Sequence, residues 1–221
     1  MQGPDPSTST NLDVTIDTLA SVPEPGSWLV LVVRLAADPS RHRVAVWREL
    51  RKVGAVSLGQ GTWAVPEVAG FAVGVNKVHE LTARCDGRLV VLRAAGRTEP
   101  DAAWLETTFT EQRQEEWAEF IADCGKFDAE IDRELAQQKL TMAELEEEEQ
   151  SLERLRRWYR ELAARDVFGA PLAGSAQQQL KHCGERLAEF TDRGLPGPAP
   201  ILTRRPPTGK QNPWMPIHRC S

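Results

Sequence analysis

The sequence predicts an α+β fold, and two observations carry this prediction. Across residues 27–99, short Val-rich segments bounded by Gly and Pro alternate with amphipathic helical segments. Across residues 100–192, long helical apolar stripes follow one another without strand signals. Residues 1–26 and 193–221 are rich in Pro and have too little apolar area to offset the entropy of ordering, so both are predicted to be disordered.

The first module opens with a strand over Trp28–Leu35 whose continuous apolar sequence favours cover on both faces of a sheet. Asp38 is the expected N-cap of a helix that has Pro39 at its first position and ends near Val53. The later elements are strands over 55–58 and 62–65 around Gly59-Gln60-Gly61, a helix over 68–84 and a strand over 88–94. The order strand, helix, strand, strand, helix, strand predicts a ferredoxin-like βαββαβ module, an antiparallel sheet with two helices on one face.

The second module is predicted to be a long antiparallel helical hairpin followed by a C-terminal helix. The first long helix carries an apolar stripe about 120° wide, made by Phe109, Trp117, Phe120, Ile121, Cys124, Phe127, Ile131 and Leu135. Thr141 is expected to cap the second helix, with Glu144 completing a capping box. Residues 166–171 break the helical pattern, and a last helix is expected over about 175–190.

Composition excludes several classes of protein. The longest apolar runs are far shorter than the roughly 20 residues that span a bilayer. The first 33 residues contain no Lys or Arg, unlike the start of a secretory signal. We therefore expect a cytoplasmic protein without a membrane partner. The four cysteines are widely spaced and are expected to be reduced, mostly buried thiols, and neither a metal site nor a cofactor is predicted.

Charge is divided unevenly along the chain. The net charge is −4 over residues 1–26, +5 over 27–99, −11 over 100–192 and +5 over 193–221. A basic module followed by an acidic one permits contact with nucleic acid, but an attraction between the two modules explains the division equally well.

The first helix carries the best candidate for contact with phosphate groups. About 100° of rotation per residue places Val46, Trp47, Leu50 and Val53 on one side, and Trp47 is expected in the core with Trp28, Trp63 and Trp117. Positive side chains occupy the other side, namely Arg41, Arg48, Arg51 and Lys52. This pattern is typical of salt-dependent DNA binding. It is equally typical of a helix face that is exposed to solvent or paired with the acidic module over residues 100–192, here called the acidic arm.

Three further groups have both a functional and a structural interpretation. Guanidinium groups that suit an oxyanion lie on the second long helix, at Arg154, Arg156, Arg157, Arg160 and Arg165. Pairs at i,i+4 spacing, Glu153 with Arg157 and Glu161 with Arg165, explain much of that group as helix support. The run Glu146–Glu149 could bind a divalent cation, or it could be a charged first turn that complements the helix dipole. Asp38 could be a metal-binding acid of a ferredoxin-like nuclease, or it could be the N-cap of the first helix.

The segments Trp28-Leu-Val-Leu-Val-Val-Arg-Leu35, Arg43-Val-Ala-Val-Trp-Arg-Glu-Leu-Arg-Lys-Val-Gly54 and Gly61-Thr-Trp-Ala-Val-Pro66 resemble the N-terminal domain family of the chromate-resistance protein ChrB. The resemblance extends to Arg154-Leu-Arg-Arg-Trp-Tyr-Arg-Glu-Leu162 and to Arg165-Asp-Val-Phe-Gly-Ala-Pro171. The opening strand and helix are also similar to PaaX-type transcriptional repressors. ChrB proteins generally continue into a C-terminal domain, whereas a short Pro-rich tail follows residue 190 here, so no chromate-binding residue is carried over.

The resemblance implies a bacterial, non-enzymatic regulator of chromate resistance that binds DNA and responds to chromate. Two alternatives remain open from the residues themselves. A protein-interaction or homodimerisation module is favoured by the apolar strands and the long hairpin. A metal-dependent nuclease of the ferredoxin-like kind would depend on Asp38.

Overall fold

The computed structural model describes residues 26–36, 40–137 and 141–194. The α/β part contains strands β1 (Trp28–Arg34), β2 (Val56–Gly59), β3 (Thr62–Pro66) and β4 (Arg88–Ala94), and helices α1 (Ser40–Val53) and α2 (Ala69–Arg84). The helical part contains α3 (Glu99–Gln137), α4 (Met142–Arg165) and α5 (Ala173–Gly194). The predicted disordered segments and Asp38 lie outside the described residues, so the predictions made for them stay predictions.

The four strands form one antiparallel sheet in the order β2-β3-β1-β4. Leu31 at the centre of β1 is paired with Trp63 on β3 and with Val91 on β4. This order, with α1 and α2 packed on each other, confirms the predicted α+β class and is consistent with the ferredoxin-like arrangement. Gln60 and Gly61 form the β2–β3 turn at positive φ, and a Cβ on Gly61 would lie 2.8 Å from the Val33 carbonyl oxygen.

The two faces of the sheet differ in how completely they are covered. On the helical side, Leu31 and Trp63 are buried in the core formed with α1 and α2, and Val91 is partly buried against it. The opposite side, here called the outer face, contains Val30, Val32, Val90 and Leu92, which pair across β1 and β4. The three valines are partly exposed and Leu92 is 50% exposed. Trp28, Val56 and Ala64 share this outer face and are buried, and Phe109 of α3 packs on Trp28. The expectation of cover on both faces is therefore confirmed for this part of the outer face and is wrong for its β4 side.

The helical part has its own core, built where α3, α4 and α5 pack on one another. Thr141 caps α4 as predicted, since its hydroxyl accepts a 3.3 Å hydrogen bond from the Glu144 amide. Helix α3 contributes to both cores, because Phe109 packs with the sheet module and Trp117 with the hairpin. One rigid helix thus connects the two modules.

The predicted break at residues 166–171 is present and is organised by Asp166. Its carboxylate accepts hydrogen bonds from the Gly169 and Ala170 amides, and also from the Trp117 indole N–H at 2.8 Å. The turn places Phe168 against Trp28, with ring centroids 5.8 Å apart. The break between α4 and α5 therefore closes one end of the sheet.

A buried acid ties three strands together at that end. Glu67 follows β3 and accepts hydrogen bonds from the Ser27 hydroxyl at 2.6 Å and from the Arg93 guanidinium at 2.8 Å. The hydrogen bonds from Arg93 hold the pKa of Glu67 below its ordinary value, against the opposing effect of burial. The ends of β1, β3 and β4 are fixed together by this group.

Candidate nucleic-acid interface

Helix α1 is held to the sheet by a narrow apolar edge, which leaves most of its surface open. Val46, Leu50 and Val53 are buried. The cations predicted to contact phosphate are all exposed, namely Arg41, Arg48, Arg51 and Lys52. No ion pair among the described residues involves any of their side chains. These four residues are named the α1 basic face below.

Trp47 lies beside the α1 basic face and is 52% exposed, so its predicted place in the core is wrong. On a helical wheel it lies at the border of the apolar edge, about 100° from Val46. Its inner side contributes to a pocket of about 480 Å³ between α1 and the β2–β3 turn, which Val33 and Trp63 also line. The Arg51 guanidinium lies 5.9 Å from the Trp47 ring centroid, so a cation and an aromatic ring are presented side by side.

The acidic arm does not pair with the α1 basic face in the described part of the chain. The ion pair that reaches α1 comes from α2, where Lys77 lies 3.4 Å from Glu49. The second module instead meets the backbone at the C-terminal end of α1. Attraction between the two modules therefore accounts for the orientation of the C-terminal end of α1. It does not explain why the four cations of the α1 basic face are exposed and have no acidic partner among the described residues.

Two arginines from the helical part hold the C-terminal end of α1. Arg113 of α3 donates a 2.8 Å hydrogen bond to the Gly54 carbonyl, and Arg165 donates one of 2.8 Å to the Lys52 carbonyl. Positive groups are favourable at this helix end, where the carbonyls are unsatisfied and the dipole is negative. Glu116 lies between the two guanidinium groups, 2.8 Å from Arg113 and 3.4 Å from Arg165. The network fixes α1, and with it the α1 basic face, relative to the hairpin.

Sequence reasoning missed this anchor, although one signal was present. Arg113 lies four residues after Phe109 and four before Trp117, inside the apolar stripe of α3. A charged residue at such a position is buried with α3 and needs a polar partner. The identity of that partner, a backbone carbonyl 59 residues away in sequence, had no signature of its own.

The run Glu146–Glu149 is divided by the structure into exposed and buried members. Glu148 is 4% exposed and faces α3, whereas its three neighbours are exposed. It lines a pocket of about 320 Å³ together with Glu130, Lys126 and Arg154. Burial raises the pKa of Glu148 to about 7, with a further contribution from the charge of Glu134 on α3. In the described part of the chain, no group of three or more Cys, His, Asp and Glu side chains is arranged to hold a metal ion.

Comparison with known proteins supplies the family. The model of the family described as "Protein ChrB, N-terminal" matches residues 43–196, which include α1 from its fourth residue onwards and the whole described helical part. The chain belongs to the ChrB N-terminal family. The protein named "Protein ChrB" from Cupriavidus metallidurans is 27% identical over 110 residues. That match covers 50% of this chain and 33% of the relative, so this ChrB-family chain corresponds to only part of it.

The second basic group of this ChrB-family chain is distributed around α4. Arg154 lies at the pocket beside Glu148, whereas Arg156 and Arg160 both pair with Glu153, at 3.8 and 3.1 Å. Arg157 is exposed, and Arg165 belongs to the α1 anchor. The expected pairs of Glu153 with Arg157 and of Glu161 with Arg165 are replaced by these contacts. Anion binding at Arg154, Arg156, Arg157 and Arg160 stays a prediction.

No helix in the described ranges is long and apolar enough to cross a membrane. Helix α3 exceeds the length needed, but charged residues occur along it.

Proposed function

We propose that this ChrB-family chain is a non-enzymatic, DNA-binding regulator associated with chromate resistance, and that the α1 basic face contacts the DNA backbone. The observation that carries the proposal is the exposure of four cations on one helix without ion-pair partners among the described residues. Such a face releases counterions when it meets a polyanion, which makes binding favourable at low salt.

The surroundings of α1 support this use of the helix. Trp47 and Arg51 place an aromatic ring and a guanidinium beside the phosphate-binding positions, and this combination suits stacking or apolar contact with bases. The anchor at Gly54 and Lys52 limits rotation of α1, so the face is presented in a fixed orientation. Family membership supports the association with chromate resistance.

The test is DNA binding by the double variant Arg48→Ala/Arg51→Ala. Fluorescence anisotropy would use a labelled duplex from the region upstream of the gene and a random duplex of equal length. We expect the variant to bind both duplexes at least about tenfold more weakly at low salt. The slope of log affinity against log salt should fall by roughly 2, since each lost phosphate contact contributes about 0.9.

Lys126→Ala/Lys181→Ala is the matched control, because it removes the same charge from exposed positions on α3 and α5. Its affinity for both duplexes should fall much less than that of Arg48→Ala/Arg51→Ala, because it changes the net charge equally but leaves the α1 basic face intact. Absence of a gel shift by the wild-type protein at low salt would end the proposal. Equal losses in the two double variants would show that net charge, and not α1, controls binding.

The dimerisation hypothesis has one structural feature in its favour, the incompletely covered outer face. Leu92 on the edge strand β4 is half exposed, and Val30, Val32 and Val90 lie beside it on the same face. Light scattering during gel filtration tests the hypothesis, with Leu92→Lys expected to shift a dimer towards monomer. A wild-type protein that is monomeric at all concentrations would remove this hypothesis.

A further inference from the structure

Two cysteines meet at the seam between α3 and α5. Cys124 and Cys183 are both fully buried, and the Cys183 thiol lies 3.7 Å from the Cys124 carbonyl oxygen. Each of the two thiols also shifts the pKa of the other, as neighbouring side chains do. The third described cysteine, Cys85, lies at the end of α2 and is likewise a free thiol. The two cysteines are 59 residues apart in sequence, and packing of α3 against α5 brings them together as a dithiol.

The surroundings make the two thiols chemically different. The hydrogen bond from Cys183 lowers the pKa of Cys124, while burial and the nearby Asp128 charge oppose that effect. The same contact raises the pKa of Cys183, and burial and Asp128 act in the same direction. Because the thiolate is the nucleophile in thiol oxidation, Cys124 is the member of the pair prepared to react first.

A line of polar side chains connects this buried pair to the surface. Asp128 lies one turn after Cys124 on α3 and interacts with the Cys183 thiol. Its carboxylate accepts a 2.8 Å hydrogen bond from the Gln179 amide and lies 3.7 Å from exposed His182. The Asp128 Oδ1 atom is buried without a hydrogen-bond partner among the described residues. Both thiols are fully buried, so an oxidant reaches them when the polar α3–α5 contact around Asp128 opens locally.

We propose that Cys124 and Cys183 are an oxidisable site, and that a hydroperoxide converts them to an intramolecular disulfide between α3 and α5. The Cys124 thiolate attacks the terminal peroxide oxygen, the O–O bond breaks, and Cys124 becomes a sulfenic acid while the other oxygen leaves as hydroxide or alkoxide. The Cys183 sulfur then attacks the Cys124 sulfur, its proton leaves with the displaced hydroxide as water, and the S–S bond forms. Two thiols are oxidised and one peroxide is reduced.

The disulfide would close a covalent loop that contains the end of α3, all of α4 and the start of α5. Long closed loops restrict the unfolded chain strongly, so the oxidised protein should resist unfolding better than the reduced protein. Of the two arginines that hold the end of α1, Arg113 lies on α3 outside this loop and Arg165 lies on α4 within it. The proposal concerns the helical part alone and does not depend on DNA binding.

The test uses the full chain with Cys85→Ser and Cys220→Ser, so that the pair provides the remaining thiols. After treatment with hydrogen peroxide and removal of the oxidant, the protein is unfolded and labelled with iodoacetamide. We expect two labels before oxidation and none afterwards, a mass lower by two hydrogens, and a linked peptide containing Cys124 and Cys183. The thermal unfolding midpoint should rise by several degrees and return after dithiothreitol.

The single-cysteine variants separate the two roles in the same background. Dimedone should trap a sulfenic acid on Cys124 in the Cys183→Ser protein, and Cys183 should not be trapped in the Cys124→Ser protein. Peptide mapping of the oxidised wild-type protein tests the Cys124–Cys183 link without any substitution. Two labels after oxidation, or cross-links that involve Cys85 or Cys220 instead, would overturn the proposal.

Discussion

Replacing Arg113 with alanine should lower the free energy of unfolding by about 3–5 kcal/mol, the range seen when one partner of a buried charged network is removed. Arg113 is 1% exposed, and its guanidinium makes 2.8 Å hydrogen bonds to the Gly54 carbonyl and to Glu116. It also lies 4.6 Å from the Phe109 ring centroid. The substitution leaves a cavity, an unsatisfied carbonyl and a partly buried Glu116 carboxylate, which keeps Arg165 as its one ion-pair partner among the described residues.

Burial lowers the pKa of Arg113, and the neighbouring Glu116 opposes this effect. An arginine side chain nevertheless keeps its charge at neutral pH, so the loss of stability should be similar from mildly acidic to mildly basic conditions. A loss of stability that does not change with pH distinguishes the contacts of Arg113 from those of a group that titrates in this range.

Urea unfolding followed by circular dichroism and by tryptophan fluorescence measures the effect. Arg133→Ala is the matched control, since it removes an exposed guanidinium from the same helix, whose ion-pair partner in the described part of the chain is Glu130 at i,i+3. The control should stay within about 0.5 kcal/mol of the wild type. A change of less than about 1 kcal/mol in Arg113→Ala would mean that the two modules are held together by other contacts.

The order of elements was predictable because each element carries its own local pattern. The spacing of apolar residues and the local composition identified β1, the Gly59-Gln60-Gly61 turn and the break at residues 166–171. The order of strands and helices along the chain then predicted the ferredoxin-like pairing of the strands. The cap at Thr141 was equally local. Element boundaries differed by only a few residues.

The contacts that position the candidate site were not predictable, because they join groups with no common local pattern. The hydrogen bond from Arg165 to the Lys52 carbonyl spans 113 residues, and a backbone acceptor has no sequence signature. The prediction that Trp47 lies in the core was wrong because Trp47 is at the border of the apolar side of α1. The helical periodicity alone does not show how far the sheet extends beneath that border. Arg113, Glu134 and Glu148 share a different feature, since each falls at an apolar position of a long helix. Charges inside apolar stripes were the overlooked signal.

Replacing Glu148 with glutamine should stabilise the protein at pH 8 and have little effect at pH 4. The pKa of Glu148 in the folded state is about 7, above the ordinary value of 4.5, so the folded protein keeps this proton where the unfolded chain has lost it. Stability therefore falls as the pH rises from about 4.5 to about 7, and the full cost remains above that range. Glutamine stays neutral and removes the cost.

The expected gain at pH 8 is about 1–3 kcal/mol, because each pH unit over which the two states differ in protonation is worth about 1.4 kcal/mol. The groups that face Glu148 set this cost. Burial contributes most, followed by Glu134 and Glu130 on α3 and by Glu147 on α4, while Arg154 opposes them. The pocket beside Glu148 is lined by these acids and also by Asp123 and Lys126 of α3. Removing Arg154 should therefore act in the opposite direction to removing the charge of Glu148.

Urea unfolding at several pH values measures the difference, with Glu149→Gln as the matched control one position away on the exposed side of α4. Both substitutions remove one charge from the same acidic turn, so a general relief of repulsion would stabilise both proteins alike. A gain confined to Glu148→Gln and growing between pH 4.5 and 7 identifies the buried carboxylate as its source. A gain of equal size at pH 4 and pH 8 would instead reflect helix propensity or packing, and would contradict the raised pKa.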